Sequence, residues 1–192
     1  MVQCETGHTA MGEAPQSKES KDMNRLQLAT LLSWAEDQRI EGRKRLQKIV
    51  YFLQCAGCPL DCHYTLHHFG PYSCDVADTC DEMVAAGLIE ESGGPSLAAP
   101  YSYKLPPTTR DLLTNTIDER VQKYMKFGKG LIEENLWSLE LGSTILYFYS
   151  QTNEWDCALT KACEYKHTTP ELAASQAALR LAKQTQARTC IL

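Results

Sequence analysis

Apolar residues return at helical intervals along most of this chain, and one stretch near its middle breaks the rhythm. From about Asn24, Leu28, Leu31, Leu32 and Ala35 predict a first helix reaching about Asp37. After Gly42, Leu46, Ile49, Val50 and Leu53 form an i, i+3, i+4, i+7 stripe, and Gly57 and Pro59 end that second helix. His63 to Phe69 alternates and precedes a Gly-Pro pair, which predicts a short strand and then a turn at Gly70-Pro71. Ser73 is placed as an N-cap with Asp75 in the first turn of a third helix, whose inner face is Val76, Cys80, Met83 and Val84. Gly87 followed by Leu88 suits a left-handed helix ending of the Schellman type.

Leu88 to Glu91 and Tyr101 to Leu105 read as two strands joined by the Gly-, Pro- and Ser-rich loop Ser92 to Pro100. Beyond Pro106-Pro107 the pattern is helical to the end. Leu112, Leu113, Ile117, Val121 and Tyr124 stripe one helix, which weakens around Gly128 and Gly130. Trp137, Leu141, Thr144, Ile145 and Phe148 stripe the next, and Trp155, Ala158, Leu159 and Ala162 a third. Thr168, Thr169, Pro170 and Glu171 carry the cap, proline and capping-box features that open a fourth, continuing through Leu172, Leu179 and Ala182. The expected fold is mainly α (α+β): a winged helix-turn-helix over 24–110, with a helical C-terminal subdomain over 111–192 and a flexible leader over 1–23.

With 192 residues, 43% hydrophobic and 22% charged, the chain has material for a proper core. No apolar run nears the roughly 18 residues of a membrane span. The start of the chain lacks a signal-peptide block, so the expected location is the cytoplasm. A net charge of -5 gives no general pull toward nucleic acid, leaving any such contact to a local patch.

Arg43, Lys44, Arg45 and Lys48 form such a patch at the start of the second helix, where cations can grip phosphates. The third helix opposes it with Asp75, Asp78, Asp81 and Glu82 and has no Arg or Lys between Ser73 and Gly87. Over residues 24 to 110, eight Lys and Arg face ten Asp and Glu, a net of -2. An acidic third helix suits a basic protein surface better than a DNA groove, and Tyr72 beside it is a candidate contact.

Nine cysteines in a reducing compartment read as thiols, ligands or redox groups. Cys55, Cys58, Cys62 and His63 have spacing that Zn²⁺ can accept, but a second C-x-x-C is missing, so ordinary packing is the favoured reading and no cofactor is expected. Tyr147, Phe148, Tyr149 and Trp155 read as helix packing, or as a homodimer interface between C-terminal helices. No phosphate loop, dinucleotide fingerprint, H-E-x-x-H or G-x-S-x-G occurs, so the expected function is binding rather than catalysis.

Arg45-Leu-Gln-Lys-Ile-Val-Tyr-Phe-Leu-Gln54, His68-Phe-Gly-Pro-Tyr-Ser73, Met83-Val-Ala-Ala-Gly-Leu-Ile-Glu-Glu91 and Glu140-Leu-Gly-Ser-Thr-Ile-Leu146 resemble the YwgA-like family of small bacterial proteins. More distantly, the leucine-glutamine-lysine helix and Gly-Pro segment are similar to the SocA-like (Panacea) antitoxin domain. The antitoxin likeness implies binding to another protein, whereas the fold and the basic turn at Arg43 to Lys48 point to DNA, so the expectation is a regulatory binding protein. Two classes stay open: a DNA-binding transcriptional regulator, or an antitoxin- or adaptor-type module that binds a basic protein.

Overall fold

The computed structural model describes residues 23–35, 39–94 and 100–189, and over these the chain is mainly helical with two small antiparallel sheets. Helix α1 (Arg25–Ser33) opens with a capping box, Asn24 and Gln27 each satisfying the other's backbone N–H. Six consecutive residues of α1, Gln27 to Leu32, are buried, which makes it a central rather than an amphipathic helix. It stops short of the predicted end at Asp37, with Trp34 and Ala35 already in a turn; residues 36–38 lie outside the described part.

Strand β1 (Ile40–Glu41) was invisible in the pattern, because two residues carry no period. Helix α2 (Arg43–Cys55) follows directly and buries the predicted stripe together with Gln47, Lys48, Tyr51 and Phe52. Strands β2 (Thr65–His67) and β3 (Gly70–Tyr72) then form a hairpin with Leu66 opposite Pro71. This corrects the expected Gly70-Pro71 turn: the reversal falls at His68-Phe69, and Gly70-Pro71 begin the return strand. Gly70 has φ +94°, and a Cβ there would lie 2.7 Å from the Thr144 hydroxyl. A two-stranded hairpin is all edge, so the proline's missing N–H is tolerated.

Helix α3 (Cys74–Ala85) begins at Ser73, whose hydroxyl accepts from the Val76 N–H. It ends as the sequence predicts: Gly87 is left-handed, the Gly87 N–H donates to Val84 O and the Leu88 N–H to Met83 O. Strands β4 (Glu90–Ser92) and β5 (Ser102–Lys104) complete a three-stranded sheet in the order β1-β5-β4. Of the loop between them, residues 95–99 lie outside the described part.

The single helix expected over Leu112 to Tyr124 is instead α4 (Pro107–Leu113) and α5 (Glu119–Gln122), with α6 (Met125–Glu133) following. The polar run Thr114-Asn115-Thr116 interrupts the stripe, and Asp118 restarts it by capping the N–H groups of Arg120 and Val121. Gly128 does not weaken α6 but admits Trp34, whose ring would meet a Cβ there at less than van der Waals distance. Helix α7 (Leu136–Thr152) is capped by Asn135 and stopped by left-handed Asn153. Helices α8 (Trp155–Tyr165) and α9 (Ala173–Arg188) pack on it. The predicted start of α9 at Thr168 to Glu171 is a turn, and the helix begins after Leu172 without a side-chain cap. One apolar core runs from Leu28 through Phe52 and Val76 to Ile145 and Ala178, so α7 and α9 close the core that α1 and α2 open.

Candidate functional site

Glutamines and a lysine of α2 organise the segment that leads into α3. The Gln47 amide donates to Ser73 O at 2.9 Å and accepts from the Ser73 N–H at 2.9 Å. Gln54 treats Cys62 in the same way, at 2.9 and 2.8 Å. Lys48 Nζ donates to Pro71 O at 2.6 Å. The leucine-glutamine-lysine helix and the Gly-Pro-Tyr-Ser segment are thus two halves of one joint.

Two concavities flank α3. The first, about 380 Å³, lies between the start of α2, the β2-β3 hairpin and α3. Leu46, Val76, Ala77, Phe69 and Tyr103 give it apolar walls, while Arg43, Lys44 and Lys48 bring positive charge. The second, about 660 Å³, is an open groove between the start of α1 and α3, lined by Asp75, Asp78 and Glu82 with Arg25 opposite.

The predicted basic patch divides among internal partners. Lys48 is 2% exposed, which corrects its expected place on a phosphate-facing surface. Burial, with Lys166 and Lys44 as like-charged neighbours, pulls its ammonium down to about 8 against the opposing pull of Glu140. Arg45 donates to Ile132 O and Glu134 O at the end of α6. Arg43 forms a forked pair with Glu91 at 2.9 Å, lies 3.8 Å from Asp81 and covers the Tyr101 ring at 4.3 Å. Lys44 reaches Glu140 at 3.7 Å and sits 3.5 Å above the Phe69 ring.

The acidic residues of α3 split between the two concavities. Asp75, Asp78 and Glu82, spaced i, i+3, i+7, face the open groove. Asp75 is partly occupied, since its carboxylate accepts from the His63 N–H at 2.6 Å. Glu82 pairs with Arg25 at 2.9 Å between exposed side chains. Asp81 and Tyr72 border the first cavity, where Tyr72 stacks on His67 at 4.8 Å.

The cysteine-histidine set is not gathered into one site. His63 is turned to Asp75 at 3.3 Å, and among the described residues no three His, Cys, Asp or Glu form a group able to hold a metal ion. Burial pushes the Cys55 and Cys58 thiols up to about 12, so both are protonated at neutral pH and poor nucleophiles. Cys62 is buried as well and donates to Leu60 O. Of the C-terminal aromatics, Tyr149 and Trp155 stack on each other at 3.8 Å, joining α7 to α8.

Glu140, which pairs with the lysines behind the first cavity, is the charged group that the periodicity missed. It is a nearly buried carboxylate in an otherwise apolar turn of α7, and that solitary charge among leucines was the available signal. Lys166, whose side chain is also nearly buried, lies 3.5 Å from it and donates to His68 O at 3.3 Å.

No family model matches the chain. It is 32% identical over 123 residues to the uncharacterized protein YwgA of Bacillus subtilis (strain 168), a match covering 60% of this chain and 69% of that protein.

Proposed function

The chain belongs to the YwgA family, and on that premise we propose that it is a non-enzymatic binding protein whose N-terminal half is a winged helix presenting an acidic groove to a basic protein segment. Support for the winged helix comes from the order α1-β1-α2-α3-β4-β5, with β5 between β1 and β4 and an extra hairpin inserted before α3. The observation that carries the function is the open groove of about 660 Å³, where, among the described residues, Asp75, Asp78 and Glu82 face one cation, Arg25. Such a surface attracts Lys- and Arg-rich chains and repels phosphates. The partner is of the kind an antitoxin or adaptor module engages.

The DNA-regulator alternative, with a homodimer built on the C-terminal helices, rests on Arg43 and Lys44. Both keep about half of their side-chain surface open, yet each already faces a carboxylate. Fluorescence anisotropy at low salt separates the two. A labelled Arg/Lys-rich peptide should bind, with affinity that falls as salt rises and drops about tenfold or more in the double variant D78K/E82K. Binding to a duplex DNA that D78K/E82K leaves unchanged or strengthens, with none to the peptide, would defeat the protein-partner function.

A further inference from the structure

The first cavity carries an imbalance of charge that its own contacts do not resolve. At one end the wall carries two ammonium groups, Lys44 and the buried Lys48; behind that wall, Lys44 and Lys166 lie 3.7 and 3.5 Å from opposite oxygens of Glu140. At the other end, Arg43 is shared between Glu91 and Asp81. Counted with these neighbours, among the described residues, the lysine end holds a surplus of two positive charges, and the arginine end, with Glu91 behind Arg43 and Asp81, a surplus of one negative charge. Lys48 has three N–H donors and one hydrogen-bond acceptor, Pro71 O. A buried ammonium with unspent donors is costly in an apolar-walled hole unless an anion joins it.

We propose that this cavity binds a small organic anion, with a carboxylate-sized negative group at the lysine end and an apolar body between α2, α3 and the hairpin. The volume of about 380 Å³ suits a compact molecule rather than a peptide helix or a nucleotide chain. The walls select for the body: Leu46, Val76 and Ala77 are aliphatic, and the Phe69 ring, 44% exposed and held under Lys44, lies at the mouth. Inorganic phosphate satisfies the charge and leaves those walls wet. A neutral hydrocarbon fills the walls and leaves the ammonium groups unmatched. The site is separate from the acidic groove on the other flank of α3, so it stands or falls independently of the protein partner.

Isothermal titration calorimetry of the full chain tests this with sodium hexanoate and sodium benzoate against 1-hexanol, benzyl alcohol and inorganic phosphate. At least one acid should bind saturably, one per chain, and about tenfold or more tighter than its alcohol and than phosphate. Lys48→Met should weaken that acid about tenfold by removing the buried charge. Ala77→Leu should weaken it similarly by filling the cavity while leaving every charge in place. Should Lys48→Met fail to fold, Lys44→Gln takes its place beside Ala77→Leu. The proposal is overturned if neither acid binds, if the alcohol or phosphate binds as tightly as the acid, or if the affinity survives the charge and cavity variants.

Discussion

The loop and hairpin between α2 and α3, residues 56–73, and the α7–α9 packing are held by opposite means. The first is stitched by polar groups: Gln27 to Pro59 O, Gln54 to Cys62, Lys48 to Pro71 O and Gln47 to Ser73. The second is held by close approach of small residues. Ala178 and Ala182 are fully buried, and a Cβ on Gly142 would come within 3.0 Å of the Phe52 ring and 3.1 Å of Ala178 O. Packing of that kind supplies stability in proportion to the area removed from water, with little directional preference. Hydrogen-bond stitches add about 1 kcal/mol each and fix direction and register. Both concavities are bordered by elements that this stitching positions, and the closely packed helices form the platform beneath.

The sharpest break in the comparison is Phe52→Ala, because Phe52 is fully buried where α2 meets α7. A loss of about 3–5 kcal/mol is expected, shared by both regions and seen as one cooperative urea transition. A loss below about 1 kcal/mol would show that α2 is not anchored by packing.

Gly70→Ala comes next, at about 2–3 kcal/mol, from the positive φ and the Cβ placed 2.7 Å from Thr144 Oγ1. Its damage should be local. Hydrogen exchange over residues 65–72 should accelerate while α7 and α9 stay protected. Equal acceleration in both regions would mean that they do not open separately.

The smallest effect is electrostatic. Lys48 titrates at about 8 in the fold against an ordinary 10.5. Between those limits the unfolded chain holds more protons, so the lysine's contribution to stability rises with pH. Buried thiols work the other way. Cys55, Cys58 and Cys80 are raised from 9.0 to about 12, so their contribution falls as pH climbs above 9. Comparing wild type with Lys48→Met cancels the thiols. The difference in unfolding free energy should shift in favour of wild type by about 1 kcal/mol between pH 8 and 9. A difference flat with pH would remove Lys48 from the set of strained charges, whatever Glu140, Lys44 and Lys166 contribute.

The helices were largely legible because burial imposes a period. α2, α3, α7 and α8 lie where their stripes place them, and the caps at Ser73 and Gly87 form as their residues dictate. Two-residue β1 had no period to read. The Gly70-Pro71 pair was misplaced because turn chemistry and close approach favour the same residues, and only the neighbouring Thr144 distinguishes them. At the candidate sites, residue type was visible and environment was not. Four cations close in sequence look like a surface, yet from Leu46 to Leu53 every residue of α2 is buried, so Lys48 is enclosed although it lies off the apolar stripe. The acidity of α3 was plain, but its four acidic residues read as one surface, whereas Asp75, Asp78 and Glu82 line one concavity and Asp81 the other. Lys166 and Glu140 are distant in sequence from Lys48, and no local pattern links them.

The two glutamines of α2 are seven residues apart, and each reads both the N–H and the C=O of a single residue. In effect, α2 offers the passing chain a counterfeit strand edge with two teeth. Side chains that only donate or only accept can fill half of each tooth, which singles out an amide at both places. Because an amide carries no proton that titrates near neutrality, this grip stays constant while the lysines beside it respond to pH and salt. It also sets where the chain can change length. Cys62, Pro71 and Ser73 are pinned, so the hairpin tip at His68-Phe69 is where an added residue leaves the joint intact.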